Sequence, residues 1–330
     1  MNHADVLIIG AGISGLLCAT ELQRAGLTVR VVDKGRGFGG RMATRRMGAG
    51  RFDHGAQFFT VRDSRLQAYV SEWISSGVIK EWFRHSPEDT NPDGYSRYCG
   101  LNGMTDVPKH LAAGLDTVRG ERIIELSRNI DTWVATAESG ALFTAHYLVV
   151  SAPLPQALAL LDTTGLTYAG EDETALRRVR YAKGLATLAL LDGPSALEGK
   201  GFAKVLDSPL AWVADNQTKG ISPDVCAVTI HADAAFAEKH WDSADELRGP
   251  IMLDAAKSYL GSRVIEYSCH RWGFTTPLNP WHEKQFTNQA LRLTLAGDAF
   301  GGARVEGAAL SGIEAAQAVY QNCGISLRGS

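Results

Sequence analysis

The sequence has no C-x-x-C pair, no internal repeat, no heptad pattern and no low-complexity tract. Its five cysteines, Cys18, Cys99, Cys226, Cys269 and Cys323, are scattered, which argues against zinc, iron–sulfur and disulfide frameworks alike. No metal is expected, and a reducing cytoplasm is the simplest location. Charge of one sign is missing too: 33 Lys and Arg against 36 Asp and Glu leave a net charge of −3, so no global positive field draws the chain onto nucleic acid or anionic lipid. An anionic ligand must be held by local arginines or backbone N–H groups. There is no long hydrophobic run either. Val6 to Ala19 is broken by three glycines and a serine and falls short of the ~20 residues a membrane span requires. With no basic leader and no cleavage site after it, Met1 is expected to begin the mature fold. What remains is globular material for one large or two medium domains: 330 residues, 45% hydrophobic and 21% charged.

The first thirty-three residues read as a βαβ unit. Val6-Leu7-Ile8-Ile9 is a continuous apolar run suited to a strand buried on both faces of a parallel sheet. Ile13, Leu16, Leu17 and Leu22 then recur at helical spacing, Gly26 can close the helix, and Thr28 to Val32 resumes a strand. Gly10, Gly12 and Gly15 fit G-x-G-x-x-G at the strand-to-helix turn. The first permits the sharp turn, the second lets backbone approach a pyrophosphate, and the third lets helix pack on strand. Phosphate would sit on the helix N-terminus, beside Ile13 and Ser14. Asp33 follows Gly10 by 23 residues, where an acid accepts hydrogen bonds from ribose hydroxyls and repels a 2′-phosphate. Beyond it, Gly39 and Gly40 let the chain pass close to a diphosphate, and Arg41 can counter its charge with a bidentate fork.

From Asp33-Lys34 through Gly39-Gly40-Arg41-Met42 to Phe52-Asp53-His54-Gly55-Ala56-Gln57-Phe58-Phe59-Thr60, the sequence resembles the flavin-containing amine oxidase superfamily and, within it, the renalases, particularly bacterial ones. The resemblance spans the chain and is strongest at its two ends. It implies an α/β fold: a Rossmann-like FAD-binding domain with a second, mixed α+β substrate domain, the two-domain architecture of amine oxidases and p-hydroxybenzoate hydroxylase. At the far end, the short strand Leu293-Thr294-Leu295-Ala296 runs into Gly297-Asp298, a small-residue turn, and a helix from Val305-Glu306-Gly307 whose Ala308, Ala309, Ser311 and Gly312 keep it slim against a planar cofactor. In the resembled superfamily this unit closes the flavin site, with the acid on a ribityl hydroxyl or the pyrophosphate. Ser151-Ala152-Pro153 is where related flavoproteins re-enter the flavin domain, and Arg122-Ile123 would offer backbone to adenine. Expected FAD contacts are therefore Gly10, Gly12, Ile13, Ser14, Gly15, Asp33, Lys34, Gly40, Arg41, Met42, His54, Gly55, Ala56, Gln57, Arg122, Ile123, Pro153, Asp298, Val305, Glu306 and Gly307. No cysteine lies between Asp298 and Glu306, so the FAD is expected to be non-covalent.

The flavin domain is expected to be discontinuous, comprising residues 1–62, 101–156 and 286–330, with the substrate domain formed by 63–100 and 157–285. Strands are expected at Glu121–Leu126, Thr132–Ala135, Tyr147–Ser151, Leu185–Leu191, Leu210–Ala214, Val225–His231 and Val264–Tyr267, and helices near Arg65–Gly77 and Leu247–Leu260. Planar aromatics with a few polar groups suit a flat ligand stacked on a flavin, which makes Trp212, His231, Arg271 and Trp272, together with Gln57, Phe58, Phe59 and Thr60, the candidate substrate chamber. Arg304, ahead of the last helix, is the best candidate for a substrate diphosphate; Arg62 and Arg65 are others. The resemblance implies an oxidase that takes a hydride from dihydro isomers of NAD(P)H reduced at C2 or C6, and passes the electrons to O2 to give NAD(P)+ and hydrogen peroxide. Such chemistry requires orientation rather than a general base, and no catalytic side chain is assigned. Two other readings stand beside it: an amine or amino-acid oxidase with an aromatic cage from Phe300 and Trp272, and a non-enzymatic FAD-binding redox sensor.

Overall fold

A computed structural model describes residues 3–85, 93–206 and 208–323. The apolar run at the start forms the strand His3–Ile9, whose last four residues are buried. It lies at the middle of an eight-stranded sheet. Parallel neighbours are Leu142–Val150 on one side and Val29–Asp33 on the other, and the parallel set is extended outward by Leu293–Leu295 and Asp116–Arg119. Antiparallel strands finish the edges, with Phe286–Asn288 on Leu293–Leu295 and Thr132–Ala137 on the first half of Leu142–Val150. A strand buried on both faces needs helices on both faces, and its alternating side chains feed two separate cores: Val6 and Ile8 on one side, Leu7 and Ile9 on the other.

The helix Ile13–Arg24 and the 19-residue helix Val305–Cys323 pack on the first of these faces. They cross closely because a Cβ on Gly312 would lie 2.1 Å from the Ser14 carbonyl oxygen. A third helix, Ser64–Ser75, capped by the Asp63 side chain on Arg65 N, sends Leu66, Val70 and Trp73 into this same core. On the opposite face, Leu158, Leu161 and Leu176 join Trp133 and Leu148. The stretches 64–73 and 158–176, expected with the substrate domain, therefore share cores with the large sheet. Their apolar faces have nowhere else to be buried.

A second sheet is antiparallel throughout, in the order Phe202–Lys204, Leu210–Asp215, Ala227–Ala232, Gly184–Leu191, Val264–Trp272. Its strand Gly184–Leu191 is buried along almost its whole length. One face takes the helices Ala234–Lys239 and Asp245–Ala255, and the other takes Phe52 from the hairpin Thr44–Met47/Gly50–Asp53. That hairpin and a second one, Ile79–Phe83/Arg97–Gly100, were not legible as strands from their short, charged sequences. The last strand runs to Trp272 rather than stopping at Tyr267, and the helix near residue 250 divides into Asp245–Ala255 and Lys257–Leu260. Among the described residues, no helix is long and apolar enough to cross a membrane.

Candidate active site

Between the two sheets lies a cavity of about 1540 Å³. The turns after His3–Ile9, Val29–Asp33 and Leu142–Val150 line one part of it, at the carboxyl ends of parallel strands where open α/β sheets bind ligands. Here the wall is largely backbone. Gly10 has φ +114°, a conformation that side chains avoid, and Gly15 faces the Gly10 carbonyl so closely that a Cβ would lie 2.1 Å from its oxygen. Gly12 has nothing within 4 Å of where its Cβ would be. Asp33 is fixed by two backbone donors, Ala11 N at 2.7 Å and Gly35 N at 2.6 Å, which leaves the remaining lone pairs of its carboxylate for a ligand. Ser14 Oγ, in the first turn of the first helix, is buried, lines the cavity and has no hydrogen-bond partner among the described residues. A buried hydroxyl without a partner at a helix N-terminus fits an absent anionic group.

Arg41 and Asp298 both line the cavity, yet each is the other's partner. Arg41 Nη2 donates to Asp298 Oδ1 at 2.8 Å and Nη1 to Oδ2, while Nη1 also reaches the carbonyls of Phe274 and Thr275 at 3.2 and 3.1 Å. Tyr181 adds its hydroxyl to Asp298 Oδ1 at 2.9 Å. From the sequence, the fork is expected on a diphosphate and the acid on a ribityl hydroxyl or the pyrophosphate. In the structure the two groups also pair with each other and tie the two chain ends together, because a largely buried carboxylate takes the nearest cation.

The other part of the cavity is walled by side chains from widely separated segments. The Phe58 and Trp212 ring centroids lie 5.9 Å apart, and Phe202 stacks on Trp212 at 4.8 Å. His54 sits 4.9 Å from Trp272, whose Nε1 donates to the His54 carbonyl at 2.9 Å. His231 Nε2 approaches that same carbonyl at 3.2 Å. Burial pushes the His54 ring down to about 3, helped by the neighbouring His270 and by Arg45, and burial pushes His231 down to about 4. Both imidazoles are neutral at pH 7. Trp212 Nε1 is buried without a partner among the described residues.

Seven of the site residues named from the sequence do not line the cavity: Gly15, Gln57, Arg65, Arg271, Phe300, Glu306 and Gly307, with Arg65 instead paired to Asp63 and Glu314. Gln57 turns inward, its Nε2 on the Asp53 and Gly55 carbonyls. Arg271 alternates with His270 and Trp272 along one strand and so points to the opposite face, over the Trp241 ring. Glu306 accepts from the backbone N–H groups of Arg62 and Asp63, and so ties the last helix to the start of Ser64–Ser75. Gly15 and Gly307 serve close packing, Gly307 against the carbonyls of Gly301 and Gly302. The other predicted contacts, including Ile13, Lys34, Gly40, Met42, Gly55, Ala56, Phe59, Thr60, Arg122, Ile123, Pro153, Arg304 and Val305, do line it. So do Arg97, Asp93 and Lys183, which sequence reasoning missed. Arg62 and Arg97 share Asp93 at 2.9 and 2.6 Å, and Lys183, elsewhere in the lining, is paired with Glu238 at 3.2 Å.

Residues 8–73 match the NAD(P)-binding Rossmann-like domain, and residues 82–320 match the flavin containing amine oxidoreductase family. The chain belongs to the flavin containing amine oxidoreductase family. It is an FAD-dependent oxidoreductase, and the glycine cradle and the unpartnered Ser14 hydroxyl fit that cofactor. Renalase from Mus musculus is 21% identical over 288 residues, 82% of this chain and 84% of the mouse protein. A cofactor-binding redesign of putrescine oxidase superposes with a TM-score of 0.73 at 15% identity, covering 97% of this chain and 99% of that one. Wild-type putrescine oxidase bound to putrescine gives 0.71 at 14%, with the same coverage. Likeness at these identities establishes the fold alone.

Proposed function

We propose that the protein oxidises 2- or 6-dihydro isomers of NAD(P)H, taking a hydride from the ring and passing the electrons to O2, so that NAD(P)+ and hydrogen peroxide are released. The observation that carries this reading is that the flat, uncharged side chains of Phe58, Trp212 and Trp272 all line the cavity, backed by histidines that burial keeps neutral. A dihydropyridine expels hydride with the push of its own ring nitrogen and becomes aromatic, so it needs a flat slot and no general base. FAD, when bound, supplies the hydride acceptor. The chain's own residues orient the guest: the aromatic side chains restrict it to one plane, and holding the donor carbon ~3–3.5 Å from the acceptor converts binding into rate. At the rim, Arg304 is exposed and its guanidinium has no partner among the described residues, which suits a substrate diphosphate.

Within this reading, the strands spanning 184–272 are the substrate-facing domain, and the segments on the large sheet are the FAD-facing one. The family accommodates a flavin amine oxidase equally well, and wild-type putrescine oxidase shares the fold. Against that alternative, Phe300 is buried in the core beneath the large sheet and does not line the cavity, so the cage of Phe300 and Trp272 is not assembled. The acid nearest the rim arginines, Asp93, is already shared by two of them. A steady-state assay tests the proposal. One NAD+ and one hydrogen peroxide should appear per dihydro isomer consumed, whereas peroxide formed from putrescine or other simple amines, with none from the isomers, would reject it.

A further inference from the structure

One buried ion pair lies outside the cavity and is used by none of the chemistry above. Lys219 and Asp53 are both wholly buried, with Lys219 Nζ 2.6 Å from Asp53 Oδ2. The ammonium also donates to the Gln57 carbonyl at 2.5 Å and lies 4.6 Å from the centre of the Trp82 ring. Asp53 is saturated from its other oxygen, which accepts from Thr44 Oγ1 at 2.7 Å and Met104 N at 2.8 Å. Replacing such a pair with apolar groups is often neutral or stabilising, so burial of two charges is poor evidence of a stability device. Its placement calls for another explanation.

Lys219 grips residues 53 and 57, and the three residues between them, His54, Gly55 and Ala56, are the ones that line the cavity. That loop belongs to the FAD-facing side. Ala56 N donates to the Arg41 carbonyl at 2.9 Å, and a Cβ on Gly55 would lie 2.1 Å from the same oxygen. Lys219 belongs to the second sheet. It sits in the turn after Leu210–Asp215, its N–H on the Asp215 carbonyl at 3.0 Å, and the adjacent Asn216 accepts from Asp53 N at 3.3 Å while donating to Thr229 Oγ1 at 2.9 Å. Trp272 and His231 hold the His54 carbonyl from two other strands of that sheet. The second sheet thus holds a single five-residue loop at several points, and the buried ammonium is its group that reaches both ends of the loop, which the Gln57 side chain also joins from within.

We propose that Lys219, though it lines no part of the cavity, is a positioning residue for FAD: clamping Asp53 to the Gln57 carbonyl, it fixes the 54–56 backbone at the height the cofactor requires. The assignment rests on FAD occupying this cavity and is independent of which substrate is oxidised. The other contacts each hold one point of the loop, so removing the cation that joins residues 53 and 57 loosens its set position even where the rest of the fold survives.

The test uses the purified holoprotein in three forms: unaltered, Lys219→Met, and the double variant Lys219→Met with Asp53→Asn, which removes both charges and leaves no unpaired carboxylate. Each is stripped and titrated with FAD, following fluorescence, the position of the flavin band near ~450 nm and the melting temperature. The double variant is expected to melt cooperatively, to bind FAD about tenfold more weakly and to show a shifted flavin band. FAD affinity within about twofold of the unaltered protein with a superimposable spectrum, whatever happens to the melting temperature, overturns the proposal. Should neither variant fold, amide exchange in the unaltered holoprotein decides: the Ala56 amide must exchange only on global unfolding, and exchange through local opening contradicts a clamp. Failure of the unaltered protein to bind FAD would point instead to the cofactor assignment.

Discussion

At the glycine-lined part of the cavity the walls are backbone, shaped by Gly10, Gly12 and Gly40 within a few turns of chain. At the aromatic part they are side chains, delivered by residues as far apart as Phe58, Trp212 and Trp272. The first kind of wall is encoded locally, so its failures should be abrupt and specific to single atoms. The second kind is encoded by tertiary packing, so its failures should be graded and shared among residues that touch.

The sharpest contrast lies between two glycines three residues apart. Gly15→Ala places a methyl carbon 2.1 Å from the Gly10 carbonyl oxygen, with no side chain that can yield, and should give little folded protein and no flavin. Gly12→Ala meets nothing within 4 Å and should fold to a nearly unchanged melting temperature, yet intrude on the cofactor and weaken FAD binding by roughly a hundredfold. Comparing soluble yield, melting and FAD titration for the pair separates packing glycine from cofactor glycine. Equal behaviour of the two variants would break the distinction.

Next in size is Arg41→Ala. It strands Asp298, a nearly buried carboxylate, with only the Tyr181 hydroxyl. Breaking a buried pair costs about 3–5 kcal/mol, and with 30% of the Arg41 side chain exposed the low end, about 3 kcal/mol, is expected from urea unfolding. An unchanged midpoint would return Arg41 to the diphosphate-binding role read from the sequence.

The ring end can be probed by pH. His54 is neutral in the folded state with a pKa near 3, while the unfolded chain titrates near the ordinary 6.5, so protons favour unfolding throughout the interval between. The contribution is fully present above pH 6.5 and is lost progressively as pH falls, at about 1.4 kcal/mol per pH unit for this one histidine. Urea midpoints at pH 7, 6 and 5 should fall accordingly, and His54→Asn should flatten the slope; an unaltered slope would mean that His54 is not buried neutral.

How much of this was legible in the sequence follows the same division. The βαβ unit, Asp33 and the Gly297-Asp298 turn could be read because each lies within a short segment with its own periodicity and turn residues. Lys219 and Asp53 could not. A lysine in Gln217-Thr218-Lys219-Gly220 looks like a solvated turn residue, and nothing within ten positions says that its partner is 166 residues away. Gln57 and Arg271 erred in the other direction: each neighbours true lining residues, but a strand or tight turn sends adjacent side chains to opposite faces. Phe300 failed as a cage residue because an apolar ring beside a glycine turn reads the same whether it faces a core or a cavity.

The smallest expected effect belongs to the rim. Arg304→Ala should raise KM for a dihydronicotinamide dinucleotide about fivefold, as one exposed charge pair is worth up to ~1 kcal/mol, while leaving KM for the mononucleotide unchanged. Equal effects on both would remove Arg304 from the diphosphate site.

The most direct test of the central claim is an anaerobic titration of the flavin-loaded protein with 2- and 6-dihydro-NAD, followed at the oxidised flavin band. The account predicts complete bleaching at one equivalent of at least one isomer and full recovery when O2 is admitted. Bleaching by putrescine or another simple amine, with the dihydro isomers inert, would contradict it.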